Sequence, residues 1–204
     1  MGEIIRWFVE DIGTALVDPR SLIAISRVER RGLGEPLLFV TIFSSATAVS
    51  ISAPIVTLLT LLIPLELGLA IHVLLIALGI VGGIALWLVD SVLLHALSKI
   101  FGGEGRMYET TIAVGYSFAA TWPIALMGLI SSAIGWLSGM FLVMLGIAIE
   151  IVWRWYILSQ SLSEVHGFSA LRGLLVVILA RAILVVLAFI IGMASITAWF
   201  GLRW

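Results

Sequence analysis

Residues 67–100 read LGLAIHVLLIALGIVGGIALWLVDSVLLHALSKI. No charged side chain interrupts this stretch between Leu67 and Val89; Asp90 is the first, and Lys99 follows near the end. About 20 consecutive apolar residues cross a bilayer as α-helix, so the stretch is written for lipid and reads as a transmembrane helix. At ~1.5 Å per residue it is longer than one straight crossing needs. It must tilt, bend near Gly82-Gly83, or protrude at its Lys99 end. The rest of the chain past Glu35 has the same character. Hydrophobic residues make up 62% of the 204 and charged residues 11%, against roughly 45–50% and about 25% in an ordinary soluble domain. The fold class this predicts is all-α, a polytopic membrane helix bundle.

Outward from that helix, Pro36 opens a first span that runs to about Pro54. Ile55 to Ile63 is apolar but short, is bracketed by Pro54 and Pro64, and reads as an interfacial or re-entrant turn. Gly102-Gly103-Glu104-Gly105 is a loop. A third span is expected from about Met107 to Ile130 with a kink at Pro123, a fourth from about Ile134 to Gln160, and a fifth from about Ser169 to Trp199. The expected organisation is a five-helix transmembrane domain over residues 36–204, preceded by a cytoplasmic interfacial segment, residues 1–35. In that segment Ile4, Ile5, Phe8, Val9, Ile12 and Leu16 recur at three- and four-residue steps, the mark of one helix face. Such a helix lies in the interface plane with Trp7 and Phe8 at the headgroups, or packs on the bundle or on a partner. Glu3, Arg6, Glu10 and Asp11 interrupt what would be the apolar region of a signal peptide. Asp18-Pro19-Arg20 ends the helix, because a proline disfavours α conformation at the residue before it.

The basic residues orient the bundle. Arg6, Arg20, Arg27, Arg30 and Arg31 precede the first span, Lys99 and Arg106 flank the loop between spans two and three, and Arg172 follows the loop between four and five. Only Arg203 falls on the other side. Positive charge collects on the cytoplasmic side, so the N-terminus is expected inside and the C-terminus outside the cell membrane. The formal net charge of −1 offers no basic field for nucleic acid. The absence of cysteine removes disulfides, thiolate metal sites and a cysteine nucleophile. Asparagine is absent and Gln160 is the single glutamine. That depletion points to a heat-adapted source; the alternative is the general scarcity of amides in membrane chains.

Asp90, Glu150, Arg154 and Arg181 fall inside spans. Each costs roughly 2.5–3.5 kcal/mol at mid-bilayer, so each needs a partner or water. Asp90 is nine positions before Lys99, Arg181 nine after Arg172, and Glu150 ten before Gln160. All three are expected roughly 14 Å from the cytoplasmic ends, with Arg154 about a turn nearer the cytoplasm and Tyr116, ten after Arg106, at similar depth. Two acids and two arginines sum to zero. They form a buried ion-pair network that fixes helix register, or a proton or ion pathway.

Small residues mark close helix approach: Gly79 with Gly83, Gly135 with Gly139, and Gly146 on a stripe with Glu150 and Arg154. Thr110, Ser117 and Thr121 make a polar stripe on the third span. His72 is read as isolated near the outer interface, His95 shares a face with Lys99, and His166 sits in a loop. No histidine pair has metal-ligand spacing on one helix, and no HExxH, GxSxG or Walker loop is present. The expectation is therefore no metal, no cofactor and no enzymatic activity. The tryptophans, including Trp153, Trp155, Trp199 and Trp204, are read mostly as interface anchors.

The order of short motifs resembles a known family. Asp18-Pro19-Arg20, then Gly34-Glu35-Pro36 opening the first span, is similar to the start of Yip1-domain proteins. The run His95-Ala96-Leu97-Ser98-Lys99-Ile100-Phe101-Gly102-Gly103, followed by Glu109-Thr110 and Gly115-Tyr116-Ser117, resembles the family's central block. Val165-His166-Gly167-Phe168-Ser169 before a last span fits as well. The resemblance covers most of the chain and is to a prokaryotic member. It implies a five-span helical fold with a cytoplasmic N-terminus. Eukaryotic relatives act in early secretory membranes with small Rab-type GTPases, but this chain lacks their long soluble N-terminal region and their Asp-Leu-Tyr-Gly-Pro stretch, so the resemblance does not bring that partner with it.

Three functions follow as expectations. The first is a non-enzymatic membrane organiser or adaptor, partnered by the lipid bilayer and by a membrane protein or a second copy, with no nucleic acid. The second is a small ion or solute transporter or channel using Asp90, Glu150, Arg154 and Arg181. The third is a lipid-modifying intramembrane enzyme.

Overall fold

The computed structural model describes residues 2–59, 62–134 and 136–201, and every regular element in them is helical. In chain order these are α1 (Gly2–Val17), α2 (Pro19–Val28), α3 (Gly34–Leu59), α4 (Leu65–Ile100), α5 (Met107–Tyr116), a 3-10 turn (Ser117–Thr121), α6 (Trp122–Ile134), α7 (Trp136–His166) and α8 (Ala170–Gly201). Five segments are long and apolar enough to cross a membrane: Gly34–Val56, Leu65–Ile100, Met107–Ser131, Ser138–His166 and Ala170–Trp199. Gly135, Arg203 and Trp204 lie outside the described residues.

The third span is the centre. Every residue from Thr110 to Thr121 is buried, with α3, α4 and α7 packed around it. α8 lies at the periphery against α7 and α4. Outward-facing residues of α4 and α8, such as Val73, Leu78, Val185 and Phe189, are apolar, which acyl chains accept at no cost. The small residues act within the chain. A side chain at Gly79 would strike Ala48, and one at Gly83 would strike Ser44, so this pair seats α4 on α3. A Cβ at Gly146 would meet the backbone of Ile124 at 3.0 Å, so that glycine seats α7 on α6.

Three sequence expectations need correction and a fourth gains detail. Of the stretch Ile55–Ile63 expected as an interfacial or re-entrant turn, residues 55–59 are instead helical, because α3 continues through Pro54 to Leu59. In an apolar surrounding the helix satisfies every other backbone group, and one lost bond is tolerated. Just before Pro64 the Leu62 and Ile63 amides donate to the Leu59 carbonyl at 2.8 and 3.0 Å. The distortion expected at Pro123 is a 3-10 turn, Ser117–Thr121, on its N-terminal side. The proline ring would clash with the carbonyl four residues back, so Ser117–Thr121 tightens, and the Ser117 and Thr121 hydroxyls donate to the carbonyls of Val114 and Phe118 at 2.6 and 2.9 Å. α7 runs past Gln160 to His166, because Ser159 and Ser163, though polar, donate to their own helix carbonyls and stay buried. His72 is not isolated: its Nδ1 lies 3.2 Å from the Ser52 hydroxyl.

The N-terminal helix takes the packed alternative. Phe8 meets Phe39 edge-on with ring centres 4.9 Å apart, Ala15 is fully buried, and Trp153 donates to the Leu16 carbonyl at 3.1 Å. α1 and α2 therefore pack on the arginine-rich side of the bundle, with Leu16 reaching as far along α7 as Trp153, beside Arg154.

Candidate functional site

Two clusters hold the sequence-predicted residues. The first is the intramembrane quartet. Asp90 on α4 is fully buried and accepts two parallel bonds from Arg181 on α8, Nη1 to Oδ1 at 2.7 Å and Nη2 to Oδ2 at 2.8 Å. Such bidentate charge-assisted bonds are the strong ones. Arg154 on α7 stands 3.6 Å from Asp90 Oδ2 and 3.5 Å from Glu150 Oε1. Its guanidinium also lies 4.1 Å over the centre of the Phe118 ring. The four are brought together, but their levels differ from the sequence reading. Because α7 extends to His166, Arg154 is twelve residues from its end, matching Asp90 at ten from the end of α4 and Arg181 at eleven from the start of α8. Arg154 is thus level with the Asp90–Arg181 pair, and Glu150 sits one turn deeper, touching only Arg154 within the quartet.

The quartet is unevenly closed. Arg154 Nε and Nη2 are buried and make no hydrogen bond. A cavity of about 390 Å³ between α3, α4, α6 and α7 reaches Glu150 and Arg154, and a second of about 260 Å³ touches Glu150, Arg154, Trp155 and Arg181. Asp90 lines neither.

Tyr116 does not join the quartet. Side chains on a helix lean toward its N-terminus, and α5 begins at the arginine-rich end, so the phenol reaches back and donates to Glu35 Oε2 at 2.9 Å. That places it in the second cluster, the rim, where the resemblance residues gather. Arg31 pairs with Asp11, with Glu29 at 2.7 Å and with Glu35 at 3.4 Å, and lies 5.7 Å from the centre of the Trp7 ring. Burial pushes the Asp11 carboxyl above its usual range, opposed by Arg31. Burial also disfavours the Arg31 charge, but its contacts with Tyr116, Glu29 and Asp11 outweigh this and hold it firmly protonated. Arg27 pairs with Glu109 at 2.9 Å and Glu164 at 3.9 Å.

The remaining motif residues shape the backbone of the rim. Asp18 caps α2, accepting from the Ser21 amide at 3.3 Å and hydroxyl at 2.5 Å, which together hold its carboxyl below the usual range. Pro19 follows as the first helical residue, where a missing N–H costs nothing; Arg20 is exposed. Gly115 leaves no room for a side chain against Pro36, and a Cβ there would come 3.2 Å from Trp87 Nε1. Gly102 and Gly167 hold φ of +81° and +71°, which glycine adopts without strain. Gly103 abuts His166, where a Cβ would lie 2.6 Å from Nδ1.

One arrangement escaped the sequence reading. The Thr110 hydroxyl sits between His95 Nδ1 at 3.1 Å and His166 Nε2 at 3.0 Å, joining α4, α5 and α7. Spacing along one helix could not reveal it, because the three residues stand on three helices and His166 lies six residues beyond the expected end of its span. No group of three or more metal-ligating His, Cys, Asp or Glu occurs among the described residues.

A family model described as the Yip1 domain matches residues 14–196, a span that holds the whole quartet and the rim from Asp18 onward. No curated protein and no solved structure matches the chain.

Proposed function

The chain belongs to the Yip1-domain family, and from that premise we propose a non-enzymatic integral membrane protein with a membrane-organising or adaptor role, working through its arginine-rich end. The observation that carries the reading is where the ionisable groups are spent. Asp90 is fully buried and closed by Arg181. The motif residues Glu35, Glu109, Tyr116, His95 and His166 brace α1, α2 and the loops against the bundle end. Bracing of this kind holds a surface in one shape, which suits a protein that presents a face to a partner or to a bilayer. The arginine-rich end is the cytoplasmic one, since positive charge collects there, with the N-terminus inside and the C-terminus outside the cell membrane. The partners are the lipid bilayer and a membrane protein or a second copy of the chain.

Cross-linking and pull-down from native membranes, with liposome imaging alongside, test the role. A specific protein partner or a change of liposome shape supports it; the absence of both overturns it. Because the chain has no cysteine, Glu104→Cys and Leu62→Cys report orientation cleanly: the first should label only from the cytoplasm and the second only from outside. A second reading, a small ion or solute transporter, is favoured by the two cavities that reach Glu150 and Arg154. Reconstituted vesicles without flux across an ion and solute panel would retire it.

A further inference from the structure

A cavity of about 440 Å³ opens at the rim between α2 and the start of α5, walled by Arg27, Arg30, Arg31, Arg106, Tyr108 and Glu109. Four guanidiniums around one carboxylate make a wall that favours an anion. Two of them are committed: Arg27 to Glu109 and Glu164, Arg31 to Asp11, Glu29 and Glu35. Arg30 and Arg106 are exposed, and neither has a carboxylate within ion-pair distance among the described residues. Arg30 holds φ of +52°, a conformation no other non-glycine residue takes among the described ones. The turn lets Arg31 enter the carboxylate cluster while its neighbour Arg30 stays on the cavity wall. Tyr108, whose hydroxyl donates to the Arg31 carbonyl at 2.8 Å, keeps its oxygen able to accept or be approached from the cavity side.

The surroundings say which anion. The cavity lies beside the first turn of α5, where a membrane span begins. Met107, between the lining residues Arg106 and Tyr108 in the chain, is apolar and exposed, and Ile23 and Ile112 give the cavity an apolar floor. A dissolved anion gains nothing from such a flank, whereas acyl chains do. We propose that this rim cavity binds the phosphate headgroup of an anionic phospholipid of the same leaflet, held between Arg30 and Arg106, with its chains running past Met107 along the span that begins there. Basic pockets at the cytoplasmic mouth of helix bundles bind such headgroups by the same forces. The site rests on the arginine-rich end being the working face and names what that face holds in the bilayer.

The test is native mass spectrometry of the full chain purified from mild detergent after exchange into an equal mixture of phosphatidylglycerol and phosphatidylcholine. The parent should retain phosphatidylglycerol selectively. Arg30→Asn with Arg106→Gln should weaken retention about thirtyfold, equivalent to about 2 kcal/mol at 1.4 kcal/mol per decade; asparagine tolerates the positive φ at position 30. Arg20→Gln with Arg172→Gln removes equal charge elsewhere at the same end and should leave retention unchanged. Excess inorganic phosphate or soluble polyglutamate should not displace the lipid. Equal retention of both lipids, equal loss in both double variants, or displacement by phosphate or polyglutamate would overturn the site. No protein partner enters this measurement, so its failure is separable from failure of the adaptor role, which pull-down and liposome shape decide.

Discussion

Replacing Arg181 by glutamine removes both donors that close Asp90. The carboxylate is left with no exposure and without bonds of 2.7 and 2.8 Å. Removing one partner of a buried pair costs about 3–5 kcal/mol. Arg154 Nη2, already 3.6 Å from Asp90 Oδ2 and without a hydrogen bond, can close in, so the loss should fall near about 3 kcal/mol, the lower end of that range. Asp90→Leu alone is milder, because the Arg181 side chain is 22% exposed and lines the cavity that also holds Glu150, toward which it can lean. The double variant Asp90→Leu with Arg181→Met leaves Arg154 and Glu150 as a neutral pair and should return to within about 1 kcal/mol of the parent, as apolar replacements of buried pairs do. The assay is reversible unfolding by SDS titration in bicelles, run as a double-mutant cycle. A double variant less stable than either single one, or an Arg181→Gln variant as stable as the parent, would refute the claim that the pair locks α8 to α4.

Other outcomes follow from the packing and the rim. Gly115→Val should destabilise by about 1–3 kcal/mol through overpacking against Pro36 and Trp87 in the same titration. Asp18, held below the ordinary carboxylate value of 3.8 by Ser21, contributes stability that is complete above that value and lost as pH falls through its own lower one. The melting-temperature gap between parent and Asp18→Ala should therefore be constant near neutral pH and close in strong acid. The want of asparagine and cysteine predicts melting in detergent above about 65 °C, beyond the usual mesophilic range.

Much of the fold was legible because lipid is a strict solvent. An apolar run of bilayer length has one stable form, and a charge inside it must meet another, so the spans and the convergence of Asp90, Glu150, Arg154 and Arg181 could be read by counting. What counting missed has local causes. The buried serines of α7 hid its last turns, which put Arg154 rather than Glu150 level with Asp90. Axial depth ignored the lean of the Tyr116 side chain, which carries its hydroxyl to Glu35. Pro54 looked like an end, although a helix in apolar surroundings absorbs one missing bond. The His95–Thr110–His166 contact joins three helices, and only tertiary packing sets their rotation.

The most direct test of the buried quartet as a lock is paired flux and stability in one preparation. Parent and Asp90→Asn are reconstituted into vesicles carrying a pH-sensitive dye, and each is also melted. A lock predicts that neither passes protons above empty vesicles and that the variant melts lower. Proton flux in the parent, abolished in a variant that melts at the parent's temperature, would contradict it.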